Sequence, residues 1–120
     1  MISHMLAHGA NEVVEDSSGN AGASFAAYAA RGGMRSRIFV PESASGPKRS
    51  QIELYGAELV RVPGPRSEAA RVVLEEVQQG AVYASHAYLP FGLAGIATIA
   101  YEIWEQLGRQ APGCLIAPVG

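Results

Sequence analysis

Four short apolar runs in this chain are each followed by a segment of helical character, and each of those segments ends on glycine. The runs are Val13-Val14 (within Glu12-Val13-Val14-Glu15), Ile38-Phe39-Val40, Glu58 to Val62, and Ala81 to Ala84. The segments between them run from Asn20 to Arg31, from Pro47 to Tyr55, from Ser67 towards Gly80, and from about Leu93 to Leu107. They close on Gly32-Gly33, Gly56, Gly80 and Gly108, as helices do when the chain must enter a left-handed or irregular bend. Ala70, Val73, Leu74 and Val77 follow the i, i+3, i+4, i+7 spacing of one helix face. Leu93, Ile96, Ala97, Ala100, Ile103, Trp104 and Leu107 form a second such stripe, opposed by Glu102, Glu105 and Gln106. Ala21, Phe25, Tyr28 and Ala29 share a face of the Ala-rich first helix. Trp104 and Tyr101 fall among aliphatics and read as core packing, and Glu75-Glu76 reads as a solvated helix face.

Short apolar strands without strict alternation suit a sheet buried on both faces. Alternation with helices makes that sheet parallel, joined by right-handed crossovers. The expected architecture is a three-layer α/β/α sandwich in a single domain spanning residues 1–120. At the ends, Ser3 to His8 reads as the tail of a helix, and Cys114-Leu115-Ile116-Ala117 as a fifth strand.

Ligands of open parallel sheets bind beyond the carboxyl ends of the strands, where the chain order reverses. If the first and fourth strands flank that reversal, Ser17 to Gly22 and Ser85-His86-Ala87-Tyr88 face one crevice. The first of these loops carries the chemistry. Asp16-Ser17-Ser18-Gly19-Asn20-Ala21-Gly22 joins a strand to a helix, where backbone N–H groups lack internal partners and the helix dipole adds positive charge. Glycine permits close approach to the main chain, so the turn suits a carboxylate or phosphate. Ser18 or Asn20 equally suits an ordinary helix cap. His86 is placed to act as a general base or to bond a loop carbonyl.

Composition removes several classes. With 48% apolar and 17% charged residues and a formal charge of −2, the chain is that of a globular protein, and no basic run points to nucleic acid. No stretch approaches the roughly 18 uninterrupted apolar residues of a membrane span. The single cysteine, Cys114, precludes an internal disulfide framework, fits a reducing cytoplasm, and sits in an apolar run where a buried inert thiol is expected. The Gly-x-Gly-x-x-Gly dinucleotide fingerprint and the Gly-Lys-Ser/Thr phosphate loop are both absent. His4 and His8 could share a helix face, but no third ligand lies near, so no metal site is expected. Lys48 is the only lysine; beside Arg49 in a charged first turn it is poorly placed to become a Schiff-base amine.

The run Ser-Ser-Gly-Asn-Ala-Gly, followed by Ala26-Ala27-Tyr28-Ala29-Ala30, resembles the fold-type II pyridoxal-phosphate enzymes, which include threonine synthase, threonine and serine dehydratases and cysteine synthase and share the tryptophan synthase beta-like fold. Phe39-Val40-Pro41, Lys48, Gln51, Tyr55-Gly56-Ala57-Glu58, Val60, Gly95, Thr98, Tyr101-Glu102-Ile103 and Gln106-Leu107 match that family in order and spacing. The turn is most similar to that of threonine synthase. The resemblance implies a mobile small domain with a four-stranded parallel sheet in the order 3-2-1-4. It implies that Ser17, Ser18, Gly19, Asn20 and Ala21 receive the carboxylate of an amino-acid substrate. Asn20 corresponds to the asparagine that bonds the ring hydroxyl of pyridoxal 5'-phosphate, and Gly120 is a further candidate cofactor contact where the phosphate loop should begin. Ser85 and His86 would lie beside the site.

The same resemblance puts the cofactor's lysine upstream of this segment and the rest of the large domain downstream. The chain is therefore expected to be the small domain of a two-domain enzyme, with residues 114–120 starting the strand that returns to the large domain. On its own it should be inactive, bind no cofactor, and self-associate through exposed apolar surface. A rival of another class is a free-standing anion-binding α/β regulatory module.

Overall fold

The structure, a computed structural model, describes residues 1–17, 19–44, 46–85, 88 and 90–117. The chain divides into two units, Met1–Leu89 and Pro90–Gly120.

The first unit runs α1 (Ile2–Ala7), β1 (Glu12–Glu15), α2 (Asn20–Arg31), β2 (Arg35–Pro41), α3 (Gly46–Leu54), β3 (Glu58–Val62), α4 (Arg66–Gln78) and β4 (Val82–Tyr83). The four strands are parallel and lie in the order β3-β2-β1-β4. This order decides where the helices go. The chain steps in one direction from β1 to β2 to β3, and right-handed crossovers put α2 and α3 on one face of the sheet. It then returns past β1 to β4, so the same handedness sends α4 to the other face.

Two cores result. On one face Val13, Ile38 and Val40 meet Phe25, Ala26 and Ala29 of α2, Ile52 of α3 and Met5 of α1. On the other, Val14, Phe39 and Val62 meet Ala69 and Val73 of α4. Val13 and Val14 are both fully buried, one in each core, which is why β1 shows no alternation in the sequence. α2 buries Gly22, Ala23, Phe25, Ala26 and Ala29, so the small residues bring the helix close to the sheet. Tyr28, expected on that face, points to solvent instead.

β2 is longer than its apolar run because it begins at Arg35 and includes Arg37. The Arg37 guanidinium lies 5.1 Å from the Phe39 ring centre and donates to both carboxylate oxygens of Glu76, at 2.7 and 3.3 Å. Its stem covers the sheet while its charged end reaches a partner. Glu76, read as solvated, is thus part of a half-buried ion pair joining β2 to α4.

The second unit holds α5 (Phe91–Ile96) and α6 (Thr98–Gln106). These replace the single long helix expected there. The Thr98 hydroxyl donates to the Gly95 carbonyl at 2.8 Å, and Ala100 N–H bonds the Ala97 carbonyl three residues back rather than four. Glycines at 92 and 95 weaken the first half, and the threonine competes for the carbonyl that the ladder needs. Residues 114–117 are not a strand: among the described residues no neighbour pairs with them, and a strand without a ladder partner has nothing to hold it. Cys114 is accordingly exposed, not buried. No helix among the described residues is long and apolar enough to cross a membrane.

Glu76→Gln is expected to lower the unfolding free energy by about 1 kcal/mol, as loss of a half-buried charged hydrogen bond does. Glu75→Gln, on the exposed side, should change it by less than about 0.5 kcal/mol. Urea titrations compare the two, and equal midpoints would contradict the assignment.

Candidate functional site

β1 and β4 flank the point where the sheet order reverses, and their carboxyl ends feed the two loops singled out in the sequence. β1 runs directly into the turn before α2. Gly19 is the N-cap of α2, in extended conformation, and no side chain among the described residues caps the helix. Asn20 is therefore the first helical residue rather than a cap. Its side chain is exposed, and no partner for its amide is found among the described residues. Among the described residues no side chain takes the first N–H groups of α2.

Gly22 is fixed by sterics. A β-carbon there would overlap the Ser17 carbonyl oxygen, so Ser17 lies against the first turn of the helix only because residue 22 has no side chain. At Gly19 the nearest atom to such a carbon would be Ser17 Oγ at 3.8 Å, an ordinary contact. Two buried carboxylates precede the turn. Glu15, 1% exposed, accepts the Ser17 N–H at 2.5 Å, and Gly19 N–H donates to Ser17 Oγ at 3.3 Å. Asp16 accepts the Tyr83 hydroxyl at 2.7 Å.

That last bond ties the two loops. Tyr83 is paired in register with Val14, and its phenol extends past the strand end to Asp16. Burial pushes the Tyr83 phenol well above its ordinary value, and its bond to Asp16 adds to this, while a bond with the Ser85 side chain opposes it. Ser85 Oγ, itself buried, accepts the Tyr88 N–H at 3.2 Å. A hydrogen-bonded series therefore runs from the loop after β4, through Ser85 and Tyr83, to Asp16 at the mouth of the turn.

The expected site residues divide between two clefts. Asp16, Tyr83, Ser85 and Tyr88 line one of about 310 Å³ with Arg66, Ser67, Ala70 and Leu74 of α4. Asn20 lines another of about 250 Å³ with Ala23, Ser24 and Ala27 of α2 and Gln51 and Tyr55 of α3. Ser17 is buried within the turn between them, and Gly19 and Ala21 are half-buried. Ser18, His86 and Gly120 lie outside the described residues. Lys48 is exposed on the first turn of α3. His8 bonds the His4 carbonyl through Nδ1 at 2.8 Å, and no group of three potential metal ligands occurs among the described residues.

A family model described as "Pyridoxal-phosphate dependent enzyme" matches residues 1–120. The chain belongs to this family. Its relatives include the threonine synthase of Methanocaldococcus jannaschii, 40% identical over 106 residues that cover 87% of this chain and 26% of that protein. The threonine synthase of Synechocystis is 37% identical over 121 residues, covering 99% of this chain and 31% of its own length. Among solved structures, a pyridoxal 5'-phosphate-dependent aspartate racemase superposes with a TM-score of 0.77 at 29% identity, over 88% of this chain and 33% of that one. A maize serine racemase at 24% identity shows the same fold with a TM-score of 0.76, over 85% of this chain and 31% of that one. The chain thus spans about a quarter to a third of the length of these family members.

Tyr83, Glu15 and Arg66 join the expected residues here. Tyr83 had a readable signal, a polar tip at the end of a strand beside the reversal. Arg66 had none, since only the crossover of α4 to the second face brings it to the cleft.

Two results are expected. Gly22→Ala should cost about 2 kcal/mol or more, because the clash is with backbone, whereas Gly19→Ala should cost less than about 1 kcal/mol; thermal unfolding of both variants checks this. The raised Tyr83 phenol favours the folded state fully below its ordinary value of 10.0 and loses that advantage with rising pH. The sign follows because the unfolded chain releases this proton first. Stability should therefore fall above pH 10, and Tyr83→Phe should flatten that fall in urea titrations; an unchanged slope would contradict it.

Proposed function

We propose that the turn from Ser17 to Ala21 receives the carboxylate of an amino-acid substrate, and that Asn20 contacts the ring of pyridoxal 5'-phosphate. The observation that carries this reading is the uncapped start of α2, with the Asn20 amide lacking a partner among the described residues. Such donors suit an anion and a ring hydroxyl respectively. The residues thus fit the cofactor, which when bound supplies an electron sink for chemistry at the amino-acid carbon. The work of this chain is to bind and orient. Ser17, Ser18 and Gly19 would hold the carboxylate, so that binding energy at a non-reacting group positions the reacting one.

Identity of up to 40% to threonine synthases favours elimination and replacement chemistry of the threonine synthase type over that of a dehydratase or cysteine synthase. In this reading the cofactor's covalent anchor belongs to another part of the enzyme, since Lys48 is exposed on the first turn of α3. The remaining two thirds or so of the relatives' length would supply that anchor and the phosphate loop, and these 120 residues alone would not turn over substrate.

The test uses the full-length protein loaded with pyridoxal 5'-phosphate. L-Threonine should perturb the cofactor's visible absorption at concentrations about tenfold or more below those needed for L-threonine amide, which lacks the carboxylate. Equal responses would contradict the carboxylate clamp. Lys48→Ala should retain the bound cofactor, and its loss would contradict an anchor elsewhere.

A further inference from the structure

The cleft between the loop after β4 and the start of α4 has no part in the reading of the turn, and Asn20 lines the other cleft, between α2 and α3. Its volume of about 310 Å³ is that of a small-molecule site, a range that begins near 300 Å³. The polar groups that line it select a ligand.

Asp16 is 7% exposed, and its Oδ1 accepts the Tyr83 hydroxyl at 2.7 Å. That hydroxyl has one hydrogen to give and serves one oxygen only. Oδ2 has no bond among the described residues. No described side-chain oxygen or nitrogen is both fully buried and unbonded, so Oδ2 keeps some open surface, and the cleft is where Asp16 is reached. An enclosed carboxylate oxygen without a donor is costly, and a cationic N–H group is the donor that suits it best.

The same cleft holds an unpaired cation. Arg66, exposed at the first position of α4, makes no ion pair or hydrogen bond among the described residues. Glu68, two residues on, bonds Arg71 instead. At the amino ends of the strands, by contrast, Arg35 and Arg37 are matched by Glu12 and Glu76. Ala70 and Leu74, one turn apart on α4, give the cleft an apolar wall. An acceptor, a cation and an apolar wall in one cleft are the complement of an amino acid with an aliphatic side chain.

We propose that this cleft is a second amino-acid site, in which the ligand's ammonium group bonds Asp16 Oδ2, its carboxylate meets Arg66, and its aliphatic side chain lies on Ala70 and Leu74. The site goes beyond the reading of the turn and does not rest on it.

The experiment is calorimetry on the full-length protein loaded with pyridoxal 5'-phosphate, with L-leucine as the probe. Isoamylamine and 4-methylpentanoate, each lacking one of the two charges, should bind about tenfold or more weakly than L-leucine. Asp16→Asn, which can still accept the Tyr83 hydroxyl, should weaken L-leucine about tenfold, the scale of a bond to a buried charge. Arg66→Gln should weaken it about threefold, as loss of an exposed pair does, and without a described partner for Arg66 the fold is not at stake. Asn20→Ala, in the other cleft, should leave L-leucine within about twofold. No binding of L-leucine, or isoamylamine binding as tightly, overturns the inference. So does binding lost in Asn20→Ala and kept in Asp16→Asn and Arg66→Gln, which would place L-leucine at the turn and leave the carboxylate reading standing.

Discussion

The Ser17 carbonyl rests where any β-carbon on residue 22 would sit, and the geometry of the whole carboxyl edge depends on that contact. Glycine at 22 lets the Ser17 carbonyl, just after β1, lie against the first turn of α2. Among the described residues no side chain caps α2. The dipole of a twelve-residue helix then acts on whatever occupies the bend. A larger residue at 22 would lift the strand end from the helix and change the direction of every donor there.

The same bend carries a conflict. It is suited to a negative ligand, yet Glu15 and Asp16 bring two buried carboxylates to its entrance. Each is restrained by a named bond, Glu15 by the Ser17 amide and Asp16 by the Tyr83 phenol. Burying acidic groups is tolerable when they are bonded. Placing β4 next to β1 makes this possible, since only a neighbouring parallel strand brings a phenol to the end of β1 in register. Sheet order, loop chemistry and binding thus form one problem.

Most of the fold was legible because it is written in local signals. The parallel sheet, the limits of α2 and of β3, and the helix-stopping glycines agree with those signals, while the strand order and membership of the pyridoxal-phosphate family agree with the family resemblance. What failed was governed by long-range partners. Arg35 and Arg37 hid the start of β2, because their charges find Glu12 and Glu76 across the sheet and onto α4. Residues 114–117 have strand composition but no ladder neighbour among the described residues. In the site, the turn could be read from glycine and hydroxyl spacing. The polar tip of Tyr83 at a strand end could be read too, but its bond to Asp16 could not, because it joins residues 67 positions apart.

Backbone amide shifts of the full-length protein during titration with L-threonine address the central claim most directly. The account predicts that the largest changes fall at Gly19, Asn20 and Ala21, the open start of α2. Large changes around Arg66 and Tyr88, with residues 19–21 unmoved, would contradict it.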